Sequence, residues 1–119
     1  MQKAGLHLKT WMEGLGLKNL KAELLESNDL SPFLFAEIEG EIKEHTIVFY
    51  GHFDKEPWSS GWDENKGPTK PVIENDRLYG RGGVDDGYSL YSSVLAIHAL
   101  QQQKVPLPST FNITQGFSS

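Results

Sequence analysis

Two pairs of side chains in this sequence have the types and the spacing that can bind a metal ion. His52 and Asp54 follow the apolar run 47–50, and side chains two residues apart on an extended chain point to the same side. Asp85 and Asp86 follow a glycine-rich turn at the predicted start of a helix, where the helix dipole favours carboxylates. Imidazole and carboxylate without thiolate form the ligand set of hydrolytic zinc, manganese or cobalt sites. The sequence therefore predicts a candidate metal site.

Each pair also has a structural alternative. A histidine and an aspartate two residues apart are often only a hydrogen-bonded pair, and aspartates at a helix start commonly cap the helix. The other histidines receive no role, because His98 lies on the apolar stripe of a predicted helix and His7 and His45 are predicted at the surface. The turn 80–83 suits a nucleotide-binding motif, but the third glycine of that motif would fall at Asp85. A phosphate would meet two carboxylates there, which disfavours nucleotide binding.

The elements that must position these residues alternate between helix and strand. Apolar residues recur at three- and four-residue steps over 2–15, and Gly14 and Gly16 end this predicted helix. Strands are predicted over 20–26, 33–39, 45–50 and 111–114, a long ordered loop over 55–71, a hairpin over 72–78 and a second helix over 85–104. This order favours an α/β layered sheet.

The strand 45–50 is predicted to lie inside the sheet. It is apolar on both sides, as is typical of a strand that helices cover on both faces. In the strand before it, Phe33 and Phe35 are expected to face the core while Glu37 faces water. The second helix is expected to bury a stripe that consists of Leu90, Tyr91, Val94, Leu95, His98 and Leu100.

Composition and charge exclude several classes of protein. The 119 residues include 11 basic and 16 acidic side chains, and the net charge is −5 with no basic cluster. Neither nucleic acid nor an anionic membrane is therefore an expected partner. The absence of cysteine excludes disulfides and thiolate-ligated metals. The apolar runs are too short to cross a bilayer and the N-terminus lacks a signal-peptide core, so we expect a cytoplasmic protein.

Three motifs resemble those of the zinc aminoacylase and carboxypeptidase superfamily of metallopeptidases. They are Tyr50-Gly51-His52-Phe53-Asp54 at a strand end, Gly61-Trp62-Asp63 in the following loop, and Leu78-Tyr79-Gly80-Arg81-Gly82-Gly83-Val84-Asp85-Asp86 before a helix. Within this superfamily they look most like the carnosinase-like cytosolic non-specific dipeptidases. The order and spacing of the three motifs make the resemblance specific over residues 33–108.

The resemblance implies a three-layer α/β fold, in which helices cover both faces of a mixed sheet, and this chain would be an incomplete part of it. It implies that His52 ligates a metal ion, that Asp54 is the catalytic carboxylate orienting this histidine or the general base, and that Asp85 bridges two divalent ions. Asp86 is expected either to stand at the helix start or to support a metal ligand. Zinc is the expected metal, with manganese or cobalt as alternatives. The implied substrates are dipeptides or related N-acyl amino acids, and a homodimer is compatible with a full-length parent.

Two departures from the family pattern bear on activity. The family usually continues its aspartate pair with Lys-Gly, whereas this sequence reads Gly87-Tyr88. If Gln115-Gly116 is aligned with the family's E-G motif, Ser118 and Ser119 take the places of a glutamate pair that supplies the general base and a ligand. We expect residues 1–119 to be an N-terminal portion of a metallopeptidase catalytic domain, without the lid domain and the C-terminal half. The alternative is a non-catalytic fragment or inactive relative that is at most a weak metal binder.

Overall fold

The computed structural model describes residues 2–28 and 30–115, without the side chains of Ser27 and of residues 111–115. Its elements follow the predicted alternation of helix and strand. In chain order they are α1 (Gln2–Gly14), β1 (Leu20–Ser27), β2 (Leu30–Ile38), β3 (Ile42–His52), β4 (Val72–Glu74), β5 (Arg77–Tyr79), α2 (Tyr88–Gln102) and β6 (Pro108–Gln115). Neither described helix is long and apolar enough to cross a membrane.

The main sheet combines antiparallel and parallel pairing. Within the described residues its strand order is β1-β2-β6-β3. β2 pairs antiparallel with both β1 and β6, whereas β6 runs parallel to β3. A parallel pair needs a crossover, and α2 lies in the segment that joins β3 to β6. The predicted mixed α/β sheet is therefore confirmed.

Both described helices pack on the same face of this sheet. The buried core joins them to β2 and to the residue that follows β3, and its members are Leu8, Met12, Leu34, Ala36, Phe53, Leu90 and Val94. The rings of Trp11 in α1 and Tyr91 in α2 meet edge to face, with centroids 4.6 Å apart. A second helical layer on the other face is not formed by the described residues.

β3 lies at the edge of the sheet, so the prediction of an interior strand is wrong for this chain. Among the described strands β3 pairs with β6 alone, and Ile47 and Phe49 are 45% and 37% exposed. Its apolar residues on both sides suit a sheet that continues beyond it and is covered on both faces. Here α2 contacts one face, and the described residues supply no strand beyond β3.

The buried sides of β2 and α2 also differ from those expected. The helix-covered side of β2 consists of Leu34, Ala36 and Ile38. Because side chains alternate along a strand, Phe33 and Phe35 lie on the opposite side, where they are half-buried. In α2 the buried residues are Leu90, Ser93, Val94 and Ile97, whereas Leu95 and Leu100 are exposed. His98 is half-buried beside Gln102, with a nitrogen of each side chain 3.4 Å apart.

The side of the sheet opposite the helices is here called the open face. The strand register places on it Leu25, Phe33, Phe35, Val48 and Tyr50. Val48 and Tyr50 are 58% and 60% exposed. This is an apolar surface that no element of the described residues covers.

Candidate metal centre

His52 and Asp54 leave the sheet together at the carboxyl end of β3. Phe53 between them is buried in the helix-covered core, so strand alternation directs both of its neighbours to the other side. The Nδ1 atom of His52 lies 3.0 Å from Oδ1 of Asp54. This carboxylate holds the plane of the imidazole ring, and it leaves Nε2 facing the turn that carries Asp85.

Asp85 reaches this histidine from a turn further along the chain. The β4–β5 hairpin reverses at Asn75 and Asp76, which have φ angles of 51° and 59°, and leads into the glycine-rich turn 80–87. Oδ1 of Asp85 lies 3.2 Å from Nε2 of His52. The Asp85 side chain is 74% exposed, against 29% for His52, so the pair opens to solvent. The predicted approach of these two residues is confirmed.

Asp86 connects the end of β3 to the start of α2. Its Oδ2 accepts hydrogen bonds from the His52 backbone N–H at 3.2 Å and from the Ser89 hydroxyl at 2.8 Å. The Ser89 N–H donates to Oδ1 at 3.4 Å. α2 begins only at Tyr88, so Asp86 stands just before the helix and supports its first turn, as expected. The peptide bond that joins Asp86 to the preceding aspartate is cis.

The close approach of strand and helix at this point requires Gly51. A Cβ at this position would overlap the Ser89 hydroxyl and would lie 3.2 Å from Oδ2 of Asp86. Burial raises the pKa of Asp86, but hydrogen bonds from Ser89 and from backbone groups outweigh it and hold this pKa below its ordinary value of 3.8. Asp86 therefore stays ionised while it ties the two elements together.

The charges around His52 favour its protonated form. Burial lowers the pKa of His52, but the hydrogen bond and charge of Asp54, together with the charge of Asp86, outweigh it and raise the pKa above 6.5. A metal ion binds only the neutral ring. A metal ion at Nε2 must therefore displace a proton that these carboxylates help to retain.

Two donor atoms at this site suit a divalent metal ion. Imidazole nitrogen and carboxylate oxygen are accepted by zinc, manganese and cobalt, and a carboxylate on the second ring nitrogen commonly orients a ligating histidine. Among residues 2–28 and 30–115, however, no group of three or more histidine, aspartate or glutamate side chains is arranged to hold a metal ion. Zinc sites in hydrolases generally use three protein ligands and a water. His52 and Asp85 thus fit the metal but form an incomplete ligand set.

The positions that the family alignment assigns to the glutamate pair, Ser118 and Ser119, lie outside the described residues. The register of the parallel strands places Gln115 of β6 opposite His52 of β3. The equivalence of Gln115-Gly116 with the family's E-G motif stays a prediction.

Arg81, within the third motif, fastens the long loop 55–71 beside the site. Its Nη2 donates to the Pro57 carbonyl at 2.9 Å and to the Ser59 hydroxyl at 3.0 Å. The indole N–H of Trp62, in the second motif, donates to the Ser59 carbonyl at 2.9 Å. The second and third motifs therefore meet at Ser59, which explains how a loop with neither helix nor strand is ordered.

Two lysines outside the predicted site residues contact these elements. The ammonium of Lys66 lies 2.7 Å from Oε2 of Glu74 and 4.4 Å from the centre of the Tyr79 ring. Lys55 donates hydrogen bonds into the turn that carries Asp85. The sequence offers one signal for Lys55, a cation directly after the His-x-Asp pair. For Lys66 it offers only Asp63 of the second motif, whose Oδ2 lies 3.3 Å from the ammonium; the other two partners come from the hairpin.

Known proteins match this chain over the same elements. The sequence model of peptidase family M20/M25/M40 matches residues 48–115, which include the end of β3, the loop, the hairpin, the turn and α2. The chain belongs to this peptidase family. The resemblance to zinc aminoacylases and carboxypeptidases is thereby confirmed.

Curated members of the M20 family show the same relationship in sequence. The succinyl-diaminopimelate desuccinylase of Gluconobacter oxydans is 36% identical over 75 residues, which cover 62% of this chain and 18% of that protein. The Cys-Gly metallodipeptidase of Schizosaccharomyces pombe is 29% identical over 82 residues, 66% of this chain and 17% of that protein. The Beta-Ala-His dipeptidase of Homo sapiens is 28% identical over 83 residues, 70% and 16% of the two chains. The chain thus spans less than a fifth of the length of these relatives.

Solved structures of M20 peptidases share the fold. An M20 family metallo-carboxypeptidase from Sulfolobus solfataricus superposes with a TM-score of 0.78 at 27% identity, over 97% of this chain and 25% of that one. Human carnosine dipeptidase 1 superposes with a TM-score of 0.66 at 20% identity, over 92% of this chain and 25% of that one. The mixed sheet with its two helices is therefore an arrangement found within larger peptidases.

Proposed function

We propose that this chain carries the first metal ligands of a metal-dependent hydrolase that cleaves dipeptides or related N-acyl amino acids. The observation that carries the proposal is the 3.2 Å approach of His52 Nε2 to Asp85 Oδ1, with Asp54 on the other ring nitrogen. The substrate class is supported by the names of M20 relatives, which include a Cys-Gly metallodipeptidase and a Beta-Ala-His dipeptidase. Residues 1–119 would then correspond to the first part of the catalytic domain in such an enzyme.

Each of the three side chains has a separate task in this proposal. Nε2 of His52 offers its electron pair to the metal. Asp54 accepts a hydrogen bond from Nδ1–H of His52 and so holds the ring in the tautomer whose Nε2 can ligate. Asp85 presents an exposed carboxylate that can bridge two ions, and its exposure leaves the solvent side open to a small peptide. A bound pair of divalent ions, zinc or else manganese or cobalt, would polarise the amide carbonyl and lower the pKa of water.

A second candidate is a non-catalytic chain that binds metal weakly. It is favoured by the incomplete ligand set, since the described residues bring together only two of the ligands that a zinc site generally needs. Both candidates require metal at His52, and they differ in whether hydrolysis follows.

Metal binding at His52 is tested by titrating the chain with Mn²⁺ and following the imidazole proton signals of its four histidines by NMR. We expect paramagnetic broadening of the imidazole signals to concentrate at His52, and broadening of the backbone amide of the adjacent Phe53 to be lost in His52→Ala. His45→Ala is the matched control, because His45 is an exposed residue of the same strand. Equal broadening at all four histidines, or none at His52, would refute the proposed site.

Turnover tests whether the 119-residue chain completes a working site by itself. We expect the 119-residue chain with zinc or manganese to hydrolyse an alanine- or histidine-containing dipeptide at the background rate, because lack of a positioned base alone typically costs about 10²–10⁴ in rate. The measurement is amino acid release with and without metal, beside His52→Ala. Metal-dependent turnover that His52→Ala abolishes would contradict this expectation, and it would mean that another residue completes the site.

A further inference from the structure

Lys55 is a half-buried lysine next to the candidate metal centre. None of the ion pairs formed among the described residues includes it. Its ammonium group donates instead to two backbone carbonyls, that of Gly82 at 3.4 Å and that of Asp86. These carbonyls lie on either side of Asp85 in the turn 80–87. One side chain from the segment that follows β3 therefore contacts both flanks of the segment that presents Asp85.

Two glycines make room for this ammonium group. A Cβ at Gly82 would lie 2.6 Å from Cε and 2.8 Å from Nζ of Lys55, and a Cβ at Gly87 would lie 3.0 Å from Nζ. Both glycines have positive φ angles, 76° and 103°, which disfavour any other residue. The turn thus forms a cradle around the end of Lys55. A side chain at Gly87 would meet this group.

We propose that Lys55 is a positioning residue that holds the turn bearing Asp85 against His52. The proposal rests on the proposed metal site, because its functional effect is on the distance between two ligands. His52 belongs to the end of β3, and Asp85 to a turn whose residues 83–85 are exposed. The hydrogen bonds of the Lys55 ammonium connect the segment that follows His52 directly to this turn, and they act on the turn's backbone rather than on the metal.

A positioning role and a purely electrostatic role of Lys55 predict opposite changes in metal affinity when its charge is removed. A lysine beside a cation site repels the cation, so removal of its charge should strengthen metal binding if Lys55 acts only through its field. If Lys55 positions the turn, removal of the ammonium should weaken metal binding, because Asp85 is no longer held at His52. Loss of groups that orient metal ligands typically weakens affinity by about 10–100-fold. The sign of the change therefore distinguishes the two roles.

Because the chain contains no cysteine, a cysteine introduced at position 55 can be alkylated selectively, and this tests the role of the ammonium group. Lys55→Cys is alkylated with 2-bromoethylamine, which restores an ammonium group at nearly the length of lysine, or with iodoacetamide, which gives a neutral side chain. Glu56→Cys, at an exposed neighbouring position, receives both treatments as the matched control. Thermal unfolding of each product reports whether the fold is retained.

Two readouts follow, one without metal and one with it. Without metal, the heteronuclear NOE of the amides in turn 80–87 measures the order of the turn. We expect it to fall in the neutral Lys55→Cys product and to return in the aminoethyl product. With Mn²⁺, we expect the apparent Kd at the His52 ring to rise about 10-fold in the neutral product and to recover in the aminoethyl product. Neither treatment of Glu56→Cys should change these values.

The outcomes assign failure to one proposal or to the other. A neutral product that keeps the turn ordered, or that binds Mn²⁺ as tightly as the native chain or more tightly, overturns the positioning role. If the neutral product unfolds while the aminoethyl product folds, the result supports the role of the ammonium group in holding the turn, because the two products differ in their ammonium group. If the native chain shows no Mn²⁺ effect at His52, the metal site fails, and the metal-free comparison still decides whether Lys55 orders the turn.

Discussion

The two halves of β3 have opposite environments. At its carboxyl end Gly51 is buried, and His52 is held by contacts to Asp54, Asp85 and Asp86. In its middle, Val48 is 58% exposed on the open face, and the outer edge has no partner among the described strands. The contacts at the carboxyl end form between one strand end, one turn and one helix start. Burial of the apolar side chains in the middle of β3 would require further layers of structure. Two candidate metal ligands can therefore be brought together by local elements, although no element of the described residues covers the open face.

The largest difference in stability is expected between Gly51 and Val48. We expect Gly51→Ala to lower the free energy of unfolding by about 1–3 kcal/mol, because the added Cβ overlaps the Ser89 hydroxyl and overpacking costs this much. Val48→Thr should change it by about 0.5 kcal/mol or less, as is usual for exposed positions. Urea unfolding of the three proteins measures both changes. Similar losses at the two positions would remove the contrast between the halves of β3.

The residues at the carboxyl end of β3 were predictable because their signals are local. The pairing of His52 with Asp54 follows from strand alternation, and the position of Asp86 follows from its place before an apolar helix. The approach of Asp85 needed the family motifs, since sequence spacing alone does not show how a turn folds back onto a strand end. Lys55 was missed because its partners are backbone carbonyls, which carry no residue-type signal.

The middle of β3 was mispredicted for a different physical reason. Apolar residues on both sides are typical of a strand that is covered on both faces. Among the described residues only α2 covers β3, and it does so on one face. The same limit explains β2, in which Phe33 and Leu34 make both sides apolar. Such a pattern predicts a strand, but which side meets the helices depends on packing between elements distant in sequence.

A smaller effect is expected from the acid dependence of Asp86. Its pKa in the folded chain lies below 3.8, so the stability it contributes is fully present above that value and is lost as pH falls through the folded pKa. We expect the native chain to lose about 1 kcal/mol more than Asp86→Asn between neutral pH and pH values well below 4, a magnitude typical of helix-capping groups. Denaturant unfolding at a series of pH values measures this. The control is Asp76→Asn, in the exposed β4–β5 turn, and its free energy of unfolding should fall with pH as in the native chain. If the free energy of unfolding of Asp86→Asn also falls as in the native chain, Asp86 does not stabilise the start of α2 through its charge.

The smallest effect on stability, but a clear effect on association, is expected at the open face. An apolar sheet face with an unpaired edge is a surface on which copies of a chain can associate. We therefore expect the chain to self-associate at high concentration and Val48→Lys to reduce this, with a change in the free energy of unfolding of about 0.5 kcal/mol or less. Light scattering over a concentration series measures the association. Ala96→Lys adds the same charge on the exposed side of α2, and it moves the net charge from −5 toward zero as Val48→Lys does. A net charge nearer zero favours association, so a decrease in self-association seen only in Val48→Lys must come from the open face. A native chain that stays monomeric at high concentration would show that this face does not drive association.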